Sequence, residues 1–134
     1  VGLGQAALAK AAQYAKERVV FDRTIGKNQG IQHPLAENWM ELEAAQLMVF
    51  KAADLYDRGQ PCGAEANAAK YLAAKAAFKA CERAVLTHGG MGYAKEYHVE
   101  RYLREIMIPV IAPISQELIK SFIAEQVLGQ EKSY

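Results

Sequence analysis

The sequence predicts an all-α fold: an antiparallel, up-and-down four-helix bundle with one extra short helix. Three observations support this fold class. Alanine is the most frequent residue and loses no side-chain entropy in a helix, while β-branched residues are sparse and dispersed. Apolar residues recur at intervals of three and four over long stretches, and no long stretch alternates between apolar and polar residues. The short connections between these stretches favour antiparallel neighbours.

The first two predicted helices are long and are separated by an ordered loop. The first spans about residues 3–19, with apolar residues on one stripe. The segment 21–28 breaks this period, and we expect it to form the loop. The second helix spans about residues 30–56 and carries Pro34 in its first turn, where the missing N–H costs little.

Glycine and proline separate the remaining elements. The segment 57–63 contains Gly and Pro and is the clearest turn in the sequence. The run Gly89-Gly90-Met91-Gly92 ends the third helix, and Pro109 is expected to stop the fourth. The three helices after the turn are predicted to span about residues 64–87, 99–107 and 115–129.

Length and charge limit the classes of function. A chain of 134 residues predicts one domain, 1–134, with a single core. The net charge of +1, from 16 basic and 15 acidic side chains, argues against nucleic acid as the obligatory partner. No apolar run approaches the roughly 18 residues of a membrane span, so we expect no membrane insertion.

The cysteines and the first residue bear on cellular context. Cys62 and Cys81 have neither metal-ligand spacing nor a disulfide framework, which favours a reducing, intracellular setting. We therefore expect the cytoplasm, or the mitochondrial matrix if the source is eukaryotic. The chain begins with Val1 and has no basic region before its first helix, so we expect no signal peptide and a piece of a longer protein.

Catalytic constellations are scarce. His33, His88 and His98 lie far apart, and none has a carboxylate or a cysteine at metal-ligand spacing, so no metal site is expected. No serine lies in a nucleophile elbow. The catalytic residues are therefore unknown from the sequence.

The loop after the first helix is a candidate binding site. Arg18, Phe21 and Gln29 supply a guanidinium, an aromatic face and a carboxamide, which suit a planar heterocycle with a phosphate tail. Alternatively, Arg18 forms a surface ion pair, Phe21 lies in the core and Gln29 begins a helix. The residues alone favour this second interpretation.

The glycine run also has two interpretations. It follows a helix rather than a strand, and its third glycine is misplaced for a dinucleotide fingerprint. It is either a helix C-cap and turn, or a place where a bulky cofactor approaches bare backbone. The residues alone favour the cap.

Three groups of residues, in this order, resemble the flavin-dependent acyl-CoA dehydrogenases. The resemblance covers essentially the whole chain and only the C-terminal helical domain of such an enzyme, without its N-terminal helical and middle β domains. The residues that carry it are Tyr14-Ala15, Arg18, Phe21, Ile25, Gln29, Ile31-Gln32 and Leu35-Ala36-Glu37; then Gly89-Gly90-Met91-Gly92-Tyr93, Glu96, Val99-Glu100-Arg101 and Arg104-Glu105; and finally Glu117-Leu118-Ile119-Lys120 and Leu128-Gly129.

The resemblance implies a cofactor site and an assembly. In the family this domain builds a homodimer and usually a homotetramer, and FAD lies between subunits. By resemblance, Arg18, Phe21 and Gln29 contact the FAD held mainly by a neighbouring subunit. Thr87, His88, Gly89 and Gly90 lie along the diphosphate part of that cofactor. The resemblance therefore favours a cofactor contact both at the loop after the first helix and at the glycine run, where the residues alone favoured a structural role.

The reaction implied by the resemblance is α,β-dehydrogenation of an acyl-CoA thioester by the full-length parent enzyme. A base takes the α-proton while the β-hydrogen leaves as hydride to the flavin, and an electron-transfer flavoprotein is the expected acceptor. We expect this chain alone to be inactive.

Three positions depart from the family pattern. Asp22 stands where a Gly is frequent, and Leu86 replaces a Gln that contacts the cofactor. Pro113 falls where many members carry the Glu that takes the α-proton, so a base is expected upstream of this chain. This loss supports an alternative function, a non-enzymatic helical bundle that serves as a dimerisation or adaptor module.

Overall fold

The computed structural model describes residues 1–133 and confirms the all-α fold class. Five α-helices form the bundle, and a small hairpin joins the first two. Single 3-10 turns follow the hairpin and the third helix, at Ile25–Lys27, Gly89–Gly92 and Lys95–Tyr97. The elements are α1 (Gly2–Glu17), β1 (Val19–Val20), β2 (Arg23–Thr24), α2 (Gln29–Asp57), α3 (Gly63–His88), α4 (Val99–Ile111) and α5 (Gln116–Gln126).

The helix α3 is the centre of the bundle and contacts all four other helices. Its buried face is formed largely by alanines, which allow neighbouring helices to approach closely. A Cβ on Gly4 of α1 would lie 2.7 Å from the Cα of Ala77 and 2.8 Å from the Cδ2 of Leu42, which lies on α2. Three helices therefore meet at nearly backbone distance. The larger buried side chains around this contact include Leu42, Cys81, Val99 and Ile106.

Cross-helix pairs show the direction of the chain. Lys79 on α3 pairs with Glu41 on α2, with 2.6 Å between Nζ and Oε1, and Lys51 pairs with Glu65 at 3.1 Å. These pairs define α2 and α3 as antiparallel. Because α1 also precedes α2 in an up-and-down order, the C-terminal ends of α1 and α3 lie at the same end as the N-terminus of α2.

The largest differences from the sequence prediction lie at two places, while α1 and α5 each end two or three residues earlier than predicted. The segment between α1 and α2 contains a hairpin, whose two-residue strands are too short to show a period. The prediction that Pro109 stops the fourth helix was wrong, because α4 continues to Ile111. Near a helix end a proline removes only one main-chain hydrogen bond. Separately, Lys70 Nζ donates to the carbonyls of Pro109 (2.5 Å) and Ile114 (3.0 Å) at this end of α4.

The connection between α4 and α5 changes the expectation about membrane insertion. By length and composition, the stretch Val99–Gln126 could cross a membrane, with 28 residues and a mean hydropathy of 1.4 in its best window. The expectation of no span-length apolar run was therefore wrong. The stretch is divided into α4 and α5 by the residues 112–115, and Lys70 binds carbonyls on both sides of this division. It does not form one straight helix.

Candidate functional site

A tight hairpin presents the first group of predicted site residues. Val19 pairs with Thr24 and Val20 with Arg23, so Phe21 and Asp22 form a two-residue turn. Both have positive φ, 52° and 60°, as a type I′ turn requires. The side chain of Phe21 is 94% exposed at the tip, not in the core.

Main-chain hydrogen bonds hold this hairpin against α1. The N–H of Arg18 donates to the carbonyl of Tyr14 at 2.8 Å, and the N–H of Ile25 donates to the carbonyl of Arg18 at 2.9 Å. A Cβ on Gly26 would lie 2.8 Å from the carbonyl oxygen of Ala15, so the loop packs directly on the α1 backbone. Gln29 is exposed as the first residue of α2.

The turn of the hairpin is strained. A positive φ costs an ordinary residue about 1–2 kcal/mol, and both Phe21 and Asp22 adopt it. The main-chain bond from Ile25 and a side-chain bond from Arg23 to Asn28 hold this conformation in place. This conformation is not compensated by burial of the Phe21 ring, which stays exposed. An aromatic ring held outward at such a cost is suited to a partner outside the chain.

The three glycines after α3 differ in whether the fold requires a glycine at their positions. Gly89 ends the helix at φ 59°, a conformation that favours glycine. A Cβ on Gly92 would lie 2.3 Å from the carbonyl oxygen of Val85, so a side chain is excluded there by the fold. Gly90 has no positive φ, and no atom lies within 4 Å of the point that a Cβ would occupy there. Nothing in the described fold requires a glycine at position 90.

Three aromatic rings join the glycine run to α1. The ring of His88 stacks on Tyr14 with centroids 4.2 Å apart, and the edge of Tyr97 contacts both rings, at 5.5 Å and 5.8 Å. His88 Nδ1 lies 2.7 Å from the carbonyl oxygen of Ala84. This cluster fixes the end of α3 relative to the end of α1.

Both groups of predicted residues face one open cleft of about 500 Å³. The cleft brings together Arg18 with Thr87, His88, Gly89 and Gly90. Phe21 and Gln29 do not line it. The lining residues are Tyr14, Arg18, Val20, Ile25, Asn28, Ile31, Leu86, Thr87, His88, Gly89, Gly90 and Met91.

The cleft is suited to a polar, anionic ligand. Arg18 is the one Lys, Arg, Asp or Glu in its lining, and its guanidinium has no partner within residues 1–133. The Oγ1 of Thr87 is buried without a hydrogen-bond partner, which costs free energy unless a ligand or a rearrangement satisfies it. Because Gly90 has no side chain, a ligand in the cleft can come close to the main chain there.

Sequence reasoning did not assign several contributors to this site, among them three lining residues and Tyr97, which packs behind the lining. Asn28 and Ile31 belong to the loop and to α2, next to Gln29, and could have been found from that proximity. Tyr14 lies one helical turn before Arg18, which is a usable signal. No local sequence signal places Tyr97 against His88, because that contact depends on the tertiary fold.

A second region, between α4 and α5, carries no proton acceptor at the position expected for one. Pro113 is exposed there, and Ser115 caps α5, its Oγ accepting from the N–H of Leu118 at 3.2 Å. Glu117 follows in the first turn. A hydrogen bond from its own main-chain N–H, together with the ammonium of Lys120 at 3.2 Å, lowers the pKa of Glu117. This carboxylate is suited to stabilise a helix N-terminus.

The fold and the cleft define a helical-bundle domain that carries part of a binding site on its surface. The pattern of the family "Acyl-CoA dehydrogenase, C-terminal domain" matches residues 1–128. The chain belongs to the acyl-CoA dehydrogenase family and corresponds to that domain.

One similar curated protein is the acyl-CoA dehydrogenase FadE12 of Mycobacterium tuberculosis, which is 46% identical over 136 residues. The alignment covers all of this chain and 35% of that protein. The acyl-CoA dehydrogenase of Bacillus subtilis is 45% identical, with 96% of this chain and 34% of that protein covered. The chain thus spans about a third of the length of these relatives.

Solved structures show the same fold. A chain in the structure of the electron transferring flavoprotein of Acidaminococcus fermentans superposes with a TM-score of 0.93 at 34% identity, covering 96% of this chain and 34% of that one. Butyryl-CoA dehydrogenase from Megasphaera elsdenii gives 0.92 at 36% identity, covering 95% and 33%. The FAD complex of PigA gives 0.90 at 27% identity, covering 94% and 33%.

The glycines of the cleft give a stability prediction. In the 134-residue chain, Gly92→Ala should lower the free energy of unfolding by about 2 kcal/mol or more, because its Cβ meets the Val85 carbonyl. Gly90→Ala should change it by less than about 1 kcal/mol, because its Cβ enters open space. Urea denaturation followed by circular dichroism measures both. Equal destabilisation by the two substitutions would contradict the division of roles.

Proposed function

We propose that residues 1–134 are the C-terminal oligomerisation and FAD-contacting domain of a longer acyl-CoA dehydrogenase-like flavoenzyme, whose N-terminal helical and middle β domains lie outside this chain. The observation that carries the proposal is the cleft in which an unpartnered Arg18 faces the bare backbone of Gly90. The family membership and the likeness to an FAD complex support the same cofactor.

The residues of the cleft fit FAD by their chemistry. The guanidinium of Arg18 provides charge for the diphosphate, and Gly89 and Gly90 allow that group to approach the backbone. Thr87 and His88 directly precede these glycines at the end of α3 and, by resemblance, lie along the same part of the cofactor. Outside the cleft, the exposed Phe21 and Gln29 are placed to contact a cofactor held mainly by a neighbouring subunit.

The proposed reaction is α,β-dehydrogenation of an acyl-CoA. FAD, when bound, accepts the β-hydrogen as hydride, and the protein supplies position and electrostatics. The α-proton requires a base that this chain lacks at Pro113. We place that base upstream of Val1, in the rest of the longer enzyme, so the chain alone is inactive.

The loss at Pro113 is also the observation that favours the second candidate, a non-enzymatic dimerisation or adaptor module.

The oligomerisation role is supported by the exposed face of α2. Trp39, Leu47 and Phe50 lie on one side of this helix and are between 57% and 70% exposed in the single chain. An apolar groove of about 250 Å³ lies beside this face, between α2 and α3, and is lined by Leu72 among others. Apolar surface of this kind marks interaction sites. We propose a homodimer or homotetramer.

The electron acceptor and the compartment complete the proposal. An electron-transfer flavoprotein is the proposed acceptor, supported by the likeness to a chain in the electron transferring flavoprotein structure. The cysteines, Cys62 and the buried Cys81, are free thiols, which supports a reducing setting such as the cytoplasm or the mitochondrial matrix.

The FAD role is tested by Arg18→Ala in the complete flavoenzyme. The dissociation constant of FAD should rise about 10- to 100-fold, because charge-assisted bonds to the diphosphate are lost. The melting temperature of the apoprotein should be unchanged, because the Arg18 side chain has no partner within residues 1–133. Flavin fluorescence titration and calorimetry measure the two quantities.

The matched control is Arg58→Ala in the turn between α2 and α3, where the arginine pairs with Asp54 alone. This substitution should alter neither the dissociation constant of FAD nor the melting temperature of the apoprotein. Loss of stability together with flavin in Arg18→Ala would instead assign that residue a structural role.

The oligomerisation role is tested by Leu47→Glu, a substitution at a residue that is 70% exposed in the single chain. The wild-type protein should sediment as a dimer or larger, and the variant should dissociate at least tenfold more readily, because the interface would bury an unpaired carboxylate. Ala6→Glu on the exposed face of α1 is the control and should assemble normally. A wild-type monomer at micromolar concentration would refute the role.

The position of the base is tested by Glu117→Gln in the complete flavoenzyme. Turnover of acyl-CoA should stay within about twofold of wild type, because Glu117 is a helix-terminal charge; loss of a catalytic base costs at least about 100-fold. Stopped-flow reduction of the flavin measures the step. Abolished reduction with normal flavin content would place the base on Glu117. A flavin that no acyl-CoA reduces, in an enzyme without an upstream carboxylate, would favour the non-enzymatic module.

A further inference from the structure

The hydrogen bond that His88 makes determines the tautomer of its neutral ring. Nδ1 lies 2.7 Å from the carbonyl oxygen of Ala84, one helical turn earlier. A carbonyl oxygen can only accept, so Nδ1 carries the proton. In the neutral ring the other nitrogen, Nε2, then has a free lone pair and acts as an acceptor.

The Nε2 atom of His88 has no hydrogen-bond partner within the described residues, and it is not among their enclosed, unpartnered polar atoms. It therefore keeps some accessible surface. The residue as a whole is 95% covered, and the opening that it lines is the cleft that holds Arg18 and Gly90. Stacking on Tyr14 and the edge contact with Tyr97 keep the ring from turning away.

A neutral acceptor discriminates between the parts of a dinucleotide. Diphosphate oxygens only accept hydrogen bonds, so they cannot pair with the lone pair of Nε2. A flavin dinucleotide carries donors on the adenine amine, on the flavin N3–H and on the hydroxyl groups of its sugars, and the sugar hydroxyls are the donors that adjoin the diphosphate. The charged partner for the diphosphate is Arg18, the one Lys or Arg in the lining.

We infer that His88 accepts a hydrogen bond, through Nε2, from a sugar hydroxyl of the bound flavin dinucleotide. This inference rests on the proposed function. It separates His88 from the diphosphate contact that the resemblance implied for it, and it assigns the residue to recognition of the ribityl or ribose part of the ligand.

The test is a thermodynamic cycle on the complete flavoenzyme. His88→Phe keeps a ring to stack on Tyr14 and removes Nε2. The dissociation constant of FAD should rise about tenfold, because a sugar hydroxyl loses its acceptor. Analogues of FAD that each lack one ribityl or ribose hydroxyl are then titrated against both proteins. For one analogue, the difference between wild type and His88→Phe should disappear.

The outcomes separate the inference from the proposed function. A wild-type enzyme that binds no FAD contradicts the proposed function itself. Normal FAD binding by wild type, with the same tenfold loss in His88→Phe for every analogue, shows that His88 contacts something other than a sugar hydroxyl and overturns the inference. An unchanged affinity for FAD in His88→Phe overturns it equally.

A second measurement needs no variant and covers the case in which His88→Phe does not fold. The ¹⁵N NMR spectrum of the His88 ring in the wild-type chain reports which nitrogen carries the proton. We expect a protonated Nδ1 and an unprotonated Nε2. A proton on Nε2 would overturn the inference, because that nitrogen could then donate to the diphosphate.

Discussion

The close approach of α1, α2 and α3 at Gly4, Leu42 and Ala77 is the constraint on which the rest of the structure depends. A Cβ on Gly4 would overlap both partners, so the distance between these helices is set by the absence of one methyl group. The alanine face of α3 maintains the same spacing along its length. Because α1 and α3 run in the same direction at this distance, their C-terminal ends emerge side by side. That arrangement lets Tyr14 stack on His88 and places Arg18 opposite Gly90 in one cleft.

Much of the fold could be predicted from the sequence, because long helices repeat their apolar pattern many times. The errors occur where this repetition ends. Two-residue strands show no period, so the hairpin between α1 and α2 was not visible. A proline removes only its own N–H donor, so α4 continues for two residues past Pro109, and Lys70, from another helix, binds the Pro109 carbonyl near the helix end. The stretch Val99–Gln126 was overlooked because its longest run without a polar side chain, residues 106–114, is much shorter than a membrane span.

The site was predictable only as a set of residue types. From the sequence alone, the glycine run was either a helix cap, the favoured interpretation, or a cofactor contact. The structure assigns different reasons to different glycines: Gly89 is the cap, Gly92 is required by Val85, and Gly90 is required by nothing in the described fold. The sequence alone cannot distinguish these three glycines, because the distinction depends on which atoms lie near the position of an added Cβ.

The chemistry available within the chain is therefore that of binding rather than of proton transfer. At the α4–α5 connection, Pro113 has no acidic group, and the lowered pKa of Glu117 reflects its role at a helix end. In the core, burial raises the pKa of the Cys81 thiol to about 11, so it stays protonated. The cleft offers a guanidinium, an imidazole and bare backbone, which are groups suited to holding and orienting a ligand. In the proposed flavoenzyme, the cofactor would supply the electron acceptor and another part of the enzyme would supply the base, which is the division of labour expected when a reaction centre is assembled from several domains.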